Sequence, residues 1–372
     1  MAMPNACQHK QGVVILDTRP HTPDHEHAVY RKLSEGFAQL LGCPVVDLNG
    51  PPEAHASYYY MLTQPLVDPA HLTALGIESE ADFFGGAVAH PFMATKAISH
   101  PLPPGAPPKP DWPEAFARQA CEALLKGYTV FDKATARRAA QLLLVEGPAR
   151  LKPVRACAGR GQVVFSTLEE FEPLLCSVDD EELMTWGLVL EQNLNNVETF
   201  SVGQVRVAGL VCSYYGTQQL TQDHQGIGVY GGSDLTFVRG GFASLLGEPL
   251  EDSVRLAIEQ AMAYDQAAER HLPGFIASRR NYDIARGTDT KGQIRSGVLE
   301  QSWRMGGASS AELLALQAFA ANGLVNRVRA STHEVFGTPA LPAHATLFYQ
   351  GNDSELGQLT KYAQLRHVGH SE

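Results

Sequence analysis

The chain has 372 residues, 44% hydrophobic and 19% charged, ordinary values for a globular protein with about two or three sizeable cores. Its 29 basic and 40 acidic residues leave a net charge of -11, which argues against non-specific nucleic-acid binding, because that binding needs a basic face. No apolar run approaches the roughly 20 residues of a membrane span, MAMPNACQHKQG lacks a signal-peptide core, and the six cysteines (Cys7, Cys43, Cys121, Cys157, Cys176, Cys212) form no CxxC pair. A cytoplasmic protein with free thiols, and no nucleic-acid or membrane partner, is expected.

Residues 12–48 read as a β-α-β unit. GVVILD is a strand, Pro23-Asp24 opens a helix, and Ala28, Val29, Leu33, Phe37, Leu40 and Leu41 form its apolar stripe. Gly42 closes the helix, CPVVDL is the next strand, and such alternation points to a parallel sheet. In residues 57–100, SYYYMLT and FFGGAVAHPF fit either strand or buried loop. Residues 101–113, PLPPGAPPKPDWP, carry seven prolines, which forbid regular helix or central strand and mark a domain boundary.

Beyond the boundary, EAFARQACEALLKG is a predicted helix ended by Gly127, YTVF a strand and ATARRAAQLLL a helix. RLKPV and QVVF are strands around ACAGRG, and Thr167-Leu168-Glu169-Glu170 is a capping box. GLVLE is a buried-type strand, TFSVGQVRVAGLVC is β-rich, and SVRLAIEQAMAYDQAAERH is a long helix. YDIAR and RSGVLE form a hairpin around TDTKGQ, and Ser309-Ser310-Ala311-Glu312 is a second capping box. Residues 333–372 look strand-like at ATLFYQ and otherwise loose.

Three constellations carry chemistry. In residues 150–162, RLKPVRACAGRGQ, Lys152 lies on a strand leading into a glycine loop. Glycines let backbone N–H groups approach phosphate oxygens, and the lysine adds a point charge. An exposed hairpin with a solvated lysine fits the same residues, and the GK[ST] ending of a Walker A loop is absent. In residues 187–199, GLVLEQNLNNVET, an apolar strand ends in Glu191-Gln192-Asn193-Leu194, with Glu198 beyond. This suits a purine edge and ribose hydroxyls, but also a strand capped by a polar loop. In residues 278–304, the hairpin places Asp283 and Glu300 on adjacent strands. Two strand-held carboxylates suit Mg²⁺, which takes a few hard oxygen ligands at about 2.1 Å and the rest from phosphate and water. Surface acids paired with Arg279 and Arg280 are the alternative. The segment GVLEQSWRMGGAS adds Ser302, Arg304 and a glycine turn to Glu300.

Taken in order, these three constellations resemble the ATP-grasp superfamily over roughly residues 114–330. SRRNYD, GVLEQSWR and YGGSDL resemble an uncharacterised bacterial family within it. The resemblance implies an α/β chain of α+β ATP-grasp type: a β-α-β pre-ATP-grasp domain at 1–110, then two α+β subdomains clamping a nucleotide. These would be a lid at 114–188 and a metal-binding, catalytic unit at 189–335, with a C-terminal extension at 336–372. It implies ATP and Mg²⁺ as cofactors, with Lys152 on the phosphates and Gly159 and Gly161 in the lid. Glu191, Gln192, Asn193 and Leu194 would form the adenine hinge, Glu198 would hold ribose, Asp283, Glu300 and Ser302 would hold metal, and Arg304 would face the transferring group. Lys133 and Arg280 are carried over as a further cofactor contact and a catalytic arginine. Three departures stand out. Ser302 replaces the Asn of the usual Glu-x-Asn, Arg280 lies three rather than two residues before the aspartate, and Lys133 precedes Lys152 by a short interval.

The activity implied is an ATP-dependent ligase that joins a small-molecule carboxylate to an amine or other nucleophile. An ATP-binding protein with little turnover and a phosphotransferase remain alternatives, and a homodimer stays open. Of the other polar residues, His21, His25 and His27 could bind a metal, although His25 and His27 do not share a helix face. YGGSDL and RGG fit a substrate lid or a β-turn. Cys157 has a small-residue role or an oxidisable one. His90, His100 and the three tryptophans are read as structural.

Overall fold

The stripe that predicts the first helix does form one, Asp24–Leu41, and it stops at Gly42, whose φ of 67° favours glycine. The fold is taken from a computed structural model that describes residues 10–48, 56–156 and 161–370. Strand Gly12–Leu16 pairs in parallel with Tyr58–Leu62, which pairs with Phe83–Phe84. The β-α-β crossover therefore lands on SYYYMLT. CPVVDL contributes only the bridge between Val13 and Val45, next to Pro44, which has no N–H to extend a ladder. A second small sheet joins Leu66–Val67, Gly86–Val88 and Ile276–Ala277. Residues 101–113 contain neither helix nor strand.

A four-stranded antiparallel sheet follows, in the order Gly127–Val130, Leu188–Gln192, Ala149–Pro153, Val163–Phe165. Helices Lys133–Leu144 and Leu168–Cys176 cover it around Leu143, Phe165, Phe171 and Leu190. The helix expected over 114–127 ends at Ala120, passes through a 3-10 turn, and releases Gly127 into the sheet. Thr167 caps its helix by accepting from Glu170 N, while Glu170 bonds back to Ser166 N rather than to Thr167.

The largest sheet has eight antiparallel strands, in the order Ile294–Ser302, Arg279–Thr288, Asn195–Val207, Leu210–Gln222, Gly228–Arg239, Val325–Phe336, Gly357–His370, Ala345–Asp353. YGGSDL and the start of RGG are thus strand, neither lid nor turn. ATLFYQ is strand as expected, and the region expected to be loose beyond it supplies a further strand of this sheet, Gly357–His370. Few residues of these two strands are buried, chiefly Phe348, Leu359 and Ala363, so an edge hairpin left little periodic signal.

Strand alternation sorts the faces of the large sheet. Phe200, Val202, Tyr282 and Ile284 pack with helix Asp252–His271. Val205, Val207 and Tyr214 pack on the other face with helix Ser309–Ala321 and the first helix. Thr199, Ser201, Asn281 and Asp283 continue that second face past the end of the helix, where a cleft opens. Helix 309–321 is not capped by a box. Ser309 Oγ accepts from Gly306 N at 3.0 Å, and Glu312 turns inward to meet Arg279.

Candidate functional site

The cleft has a volume of about 450 Å³, within the roughly 300–1,000 Å³ usual for small-molecule sites. Its centre is the hairpin of Asp283 and Glu300. The two residues are direct register partners, and a β-bulge follows them. The bulge makes Leu299 an extra residue, so Leu299 and Glu300 both line the cleft while Val298 stays in the core. Gln218 Nε2 donates to Asp283 Oδ1 at 2.8 Å, and Asn281 Nδ2 donates to Ser201 Oγ at 2.7 Å.

Two lysines face these acids. Lys152 is 2% exposed, and its Nζ donates to Leu299 O at 3.2 Å and to both Glu191 oxygens at 3.3 Å. Lys96 ion-pairs with Glu300 and donates to Ala156 O at 3.2 Å. Burial pushes the Asp283 carboxyl up to about 7, helped by the charge of Glu300 and opposed by Gln218, Arg279 and Lys96. Burial also acts to raise Glu300, but Lys96, Lys152 and Arg304 hold it below the usual range. Burial lowers Lys152, although Glu191 and Glu300 oppose that. Paired carboxylate oxygens facing an open cleft are the donor set a hard divalent cation takes, so the residues present fit magnesium.

Arg279 supports the loop beyond Glu300. Its Nη1 donates to Ser302 O at 2.9 Å, Ser302 Oγ at 3.2 Å and Arg304 O at 2.5 Å. Its Nε and Nη2 hold the buried Glu312, which also accepts from Tyr214 OH at 2.6 Å. Ser302 lines the cleft with its hydroxyl engaged by Arg279. Arg304 lines the cleft and donates to Met305 O at 2.6 Å. Gly307 lets this loop pass over Tyr230, since a Cβ there would come within 2.7 Å of the ring.

Other expected residues lie elsewhere. Arg280 points to the opposite face of its strand, bonded to Asp265 and Glu269. An odd separation from Asp283 dictates this, because alternate residues of a strand face opposite ways. Glu191 is buried against Lys152 and against His100 Nε2 at 2.9 Å. The Gln192 and Asn193 N–H groups are used by Lys126 O and Pro148 O, and both side chains border a small recess outside the cleft. Leu194 is buried with Leu125 and Ala285, and Glu198 is exposed. Lys133 opens its helix and pairs with Asp180 at 2.9 Å. Gly161 has a φ of 68°, and its neighbour Gln162 lines the cleft. Gly159 and Cys157 lie outside the described residues. His25 is buried on Asp353 at 2.8 Å and His21 meets Glu355 at 2.6 Å, while His27 is exposed. Among the described residues, no group of three or more His, Cys, Asp or Glu is placed to hold a metal ion.

The sequence reading missed Lys96 and the far end of the cleft. That end is walled by Arg19, Glu26, Glu334 and Lys361. Arg19 bonds to Asp17 and Glu26, yet its buried Nη2 meets no acceptor among the described residues. Lys361 pairs with Glu334 at 3.0 Å. The one available signal for Lys96 was that it is the only Asp, Glu, Lys or Arg between Asp82 and Lys109.

The profile of a family described as "Protein of unknown function (DUF3182)" matches residues 13–363. Comparison with curated proteins by sequence finds no match. Among solved structures, a biotin carboxylase–β,γ-ATP complex from Campylobacter jejuni aligns at 11% identity and a TM-score of 0.52, over 96% of this chain and 87% of that one. D-alanyl-alanine synthetase A from Vibrio cholerae aligns at 11% identity and 0.50, over 84% and 99%. The ADP complex of purK, N5-carboxyaminoimidazole ribonucleotide synthetase, aligns at 13% and 0.41, over 68% of this chain and 65% of that one, so this chain spans less than two thirds of it. The fold is an α+β ATP-grasp fold.

Proposed function

The chain belongs to the DUF3182 family, and from that footing we propose that it is a Mg-ATP-dependent ligase of ATP-grasp type. In this reading a carboxylate is activated as its acyl phosphate, and an amine or other nucleophile then displaces the phosphate. The observation that carries it is the register pair of Asp283 and Glu300 at the centre of the cleft, with Lys152 opposite. The ATP named for one structural neighbour and the synthetase activity named for another are in keeping with it.

Bound between the two carboxylates, magnesium would neutralise charge on the phosphates. Lys152 adds a second cation whose backbone is held by the four-stranded sheet. Arg304 places a guanidinium at the turn after Glu300, where charge develops on the transferring group. The acceptor substrates occupy the end lined by Arg19, Glu26, Glu334 and Lys361, which offers both cations and carboxylates and one guanidinium nitrogen with no acceptor among the described residues. A reducing cytoplasm suits the free thiols of Cys43, Cys121, Cys176 and Cys212.

Calorimetric titration with ATP, with and without Mg²⁺, tests the reading. Glu300→Ala is expected to abolish Mg²⁺-dependent binding, and unchanged affinity in that variant would refute it. A second reading, an ATP-binding protein with little turnover, is favoured by the Ser302 hydroxyl being engaged by Arg279. Release of ADP and phosphate with any carboxylate–nucleophile pair would end that alternative. Mass spectrometry of the product separates a ligase from a phosphotransferase that stops at the phosphorylated species.

A further inference from the structure

Lys96 sits on a 3-10 turn, Lys96–Ser99, wedged between the two halves of the cleft. On one side Gln301 Nε2 donates to Thr95 O at 2.5 Å, which ties the turn to the Glu300 strand. On the other, Thr129 Oγ1 donates to Ala97 O at 2.5 Å, which ties it to the four-stranded sheet. The side chain is only 6% exposed, a position lysine adopts when a partner compensates its charge. That partner is Glu300, and the same ammonium donates to Ala156 O in the chain that follows Lys152.

Two half-buried carboxylates in register need a countercharge before any ligand arrives. An ammonium is a point charge on a flexible stem, so it can hold an oxygen and later release it, which a bidentate guanidinium does less readily. A magnesium ion needs near-octahedral oxygen ligands at about 2.1 Å, and an ammonium already on Glu300 Oε2 repels it and competes for that oxygen.

We propose that Lys96 is the resident counter-cation of the carboxylate pair, holding Glu300 in the ligand-free protein and yielding it when a divalent cation binds. The inference rests on the reading of Asp283 and Glu300 as the metal site. The exchange keeps the Glu300 carboxylate paired and ordered in the empty cleft. It also links metal entry to Ala156, because the ammonium that leaves Glu300 is the one bonded to Ala156 O.

The test is Mn²⁺ binding to the full-length protein without nucleotide, followed by electron paramagnetic resonance, in wild type, Lys96→Met and Lys96→Arg. An opposite charge beside a carboxylate shifts its cation affinity by a tenfold step or more, so Lys96→Met is expected to bind Mn²⁺ about tenfold more tightly or better. Lys96→Arg, which keeps a competing cation, is expected to stay near wild type. Equal or weaker binding by Lys96→Met overturns the proposal. Glu300→Gln separates the two layers. If it abolishes Mn²⁺ binding while Lys96→Met leaves it unchanged, the metal site stands and the exchange fails. If wild type and Lys96→Met bind no Mn²⁺ at all, the metal-site reading itself fails. Should Lys96→Met not fold, the wild-type protein decides. Acetylation of Lys96, followed by peptide mass, is expected to rise several-fold on adding Mg²⁺ alone, and an unchanged rate overturns the exchange.

Discussion

Replacing Arg279 by Met tests how the loop carrying Ser302 and Arg304 is held. Arg279 and Glu312 are 1% and 0% exposed, and Tyr214 OH also donates to the Glu312 carboxylate, at 2.6 Å. Removing the arginine leaves a buried carboxylate without its countercharge, a loss of about 3–5 kcal/mol for breaking a buried ion pair from one side. The Ser302 and Arg304 carbonyls lose a donor as well, at about 1 kcal/mol each. The double variant Arg279→Met/Glu312→Leu no longer buries a lone charge. The carbonyl losses and the lost Tyr214 hydroxyl bond remain, at about 1 kcal/mol each, so it should cost about 3 kcal/mol, less than either single change. Urea unfolding followed by tryptophan fluorescence and far-ultraviolet circular dichroism measures the cycle. Coincident transitions by the two probes are needed before a free energy is assigned. A double variant as damaging as the sum of the singles would refute the pairing argument, because independent sites add and coupled ones do not.

The Asp283 carboxyl is pushed up to about 7 from an ordinary 3.8, by burial first and Glu300 second. Between those two pH values the folded protein holds a proton that the unfolded chain has lost. Stability from this group is therefore full at low pH and falls as pH rises towards 7. Without metal at neutral pH, Asp283→Asn should raise the thermal midpoint, and a lowered midpoint would contradict the assignment. Because only the ionised carboxylate binds metal, Mg²⁺ affinity should weaken as pH drops below about 7, by up to about tenfold per unit, and a flat calorimetric profile from pH 6 to 8 would contradict it. Trp303 is fully buried, packs at a tilt against Phe275 with ring centroids 4.4 Å apart, and donates to Tyr282 OH at 3.3 Å. Trp303→Ala should cost about 3–5 kcal/mol and Trp303→Phe clearly less, measured by chemical unfolding. Equal costs for the two would mean the cavity is not the cause.

Much of the site was legible because short-range rules govern it. Strand alternation and the TDTKGQ turn brought Asp283 and Glu300 opposite each other, and Lys152 followed from a hairpin of the same kind. Alternation also carried the fate of Arg280: three residues from Asp283 is an odd step, so it had to face helix Asp252–His271, and Arg279 does the supporting on the cleft side. The Glu191 to Leu194 segment was read correctly as a strand running into a linker. Its side chains and N–H groups, however, are used by Lys152, His100, Lys126 and Pro148, all distant in sequence.

The sequence by itself determined many of the elements and the hairpin pairings near the site, because turn chemistry and a period of two or 3.6 act over a few residues. Tertiary structure alone decided which charges meet. Lys96 reaches Glu300 across 204 residues of chain, and Arg19, Arg304 and Lys361 converge from three separate segments on one cleft. No local pattern encodes such meetings. They are set by how sheets and helices bury their apolar faces, and the polar ends of those elements follow wherever that packing carries them.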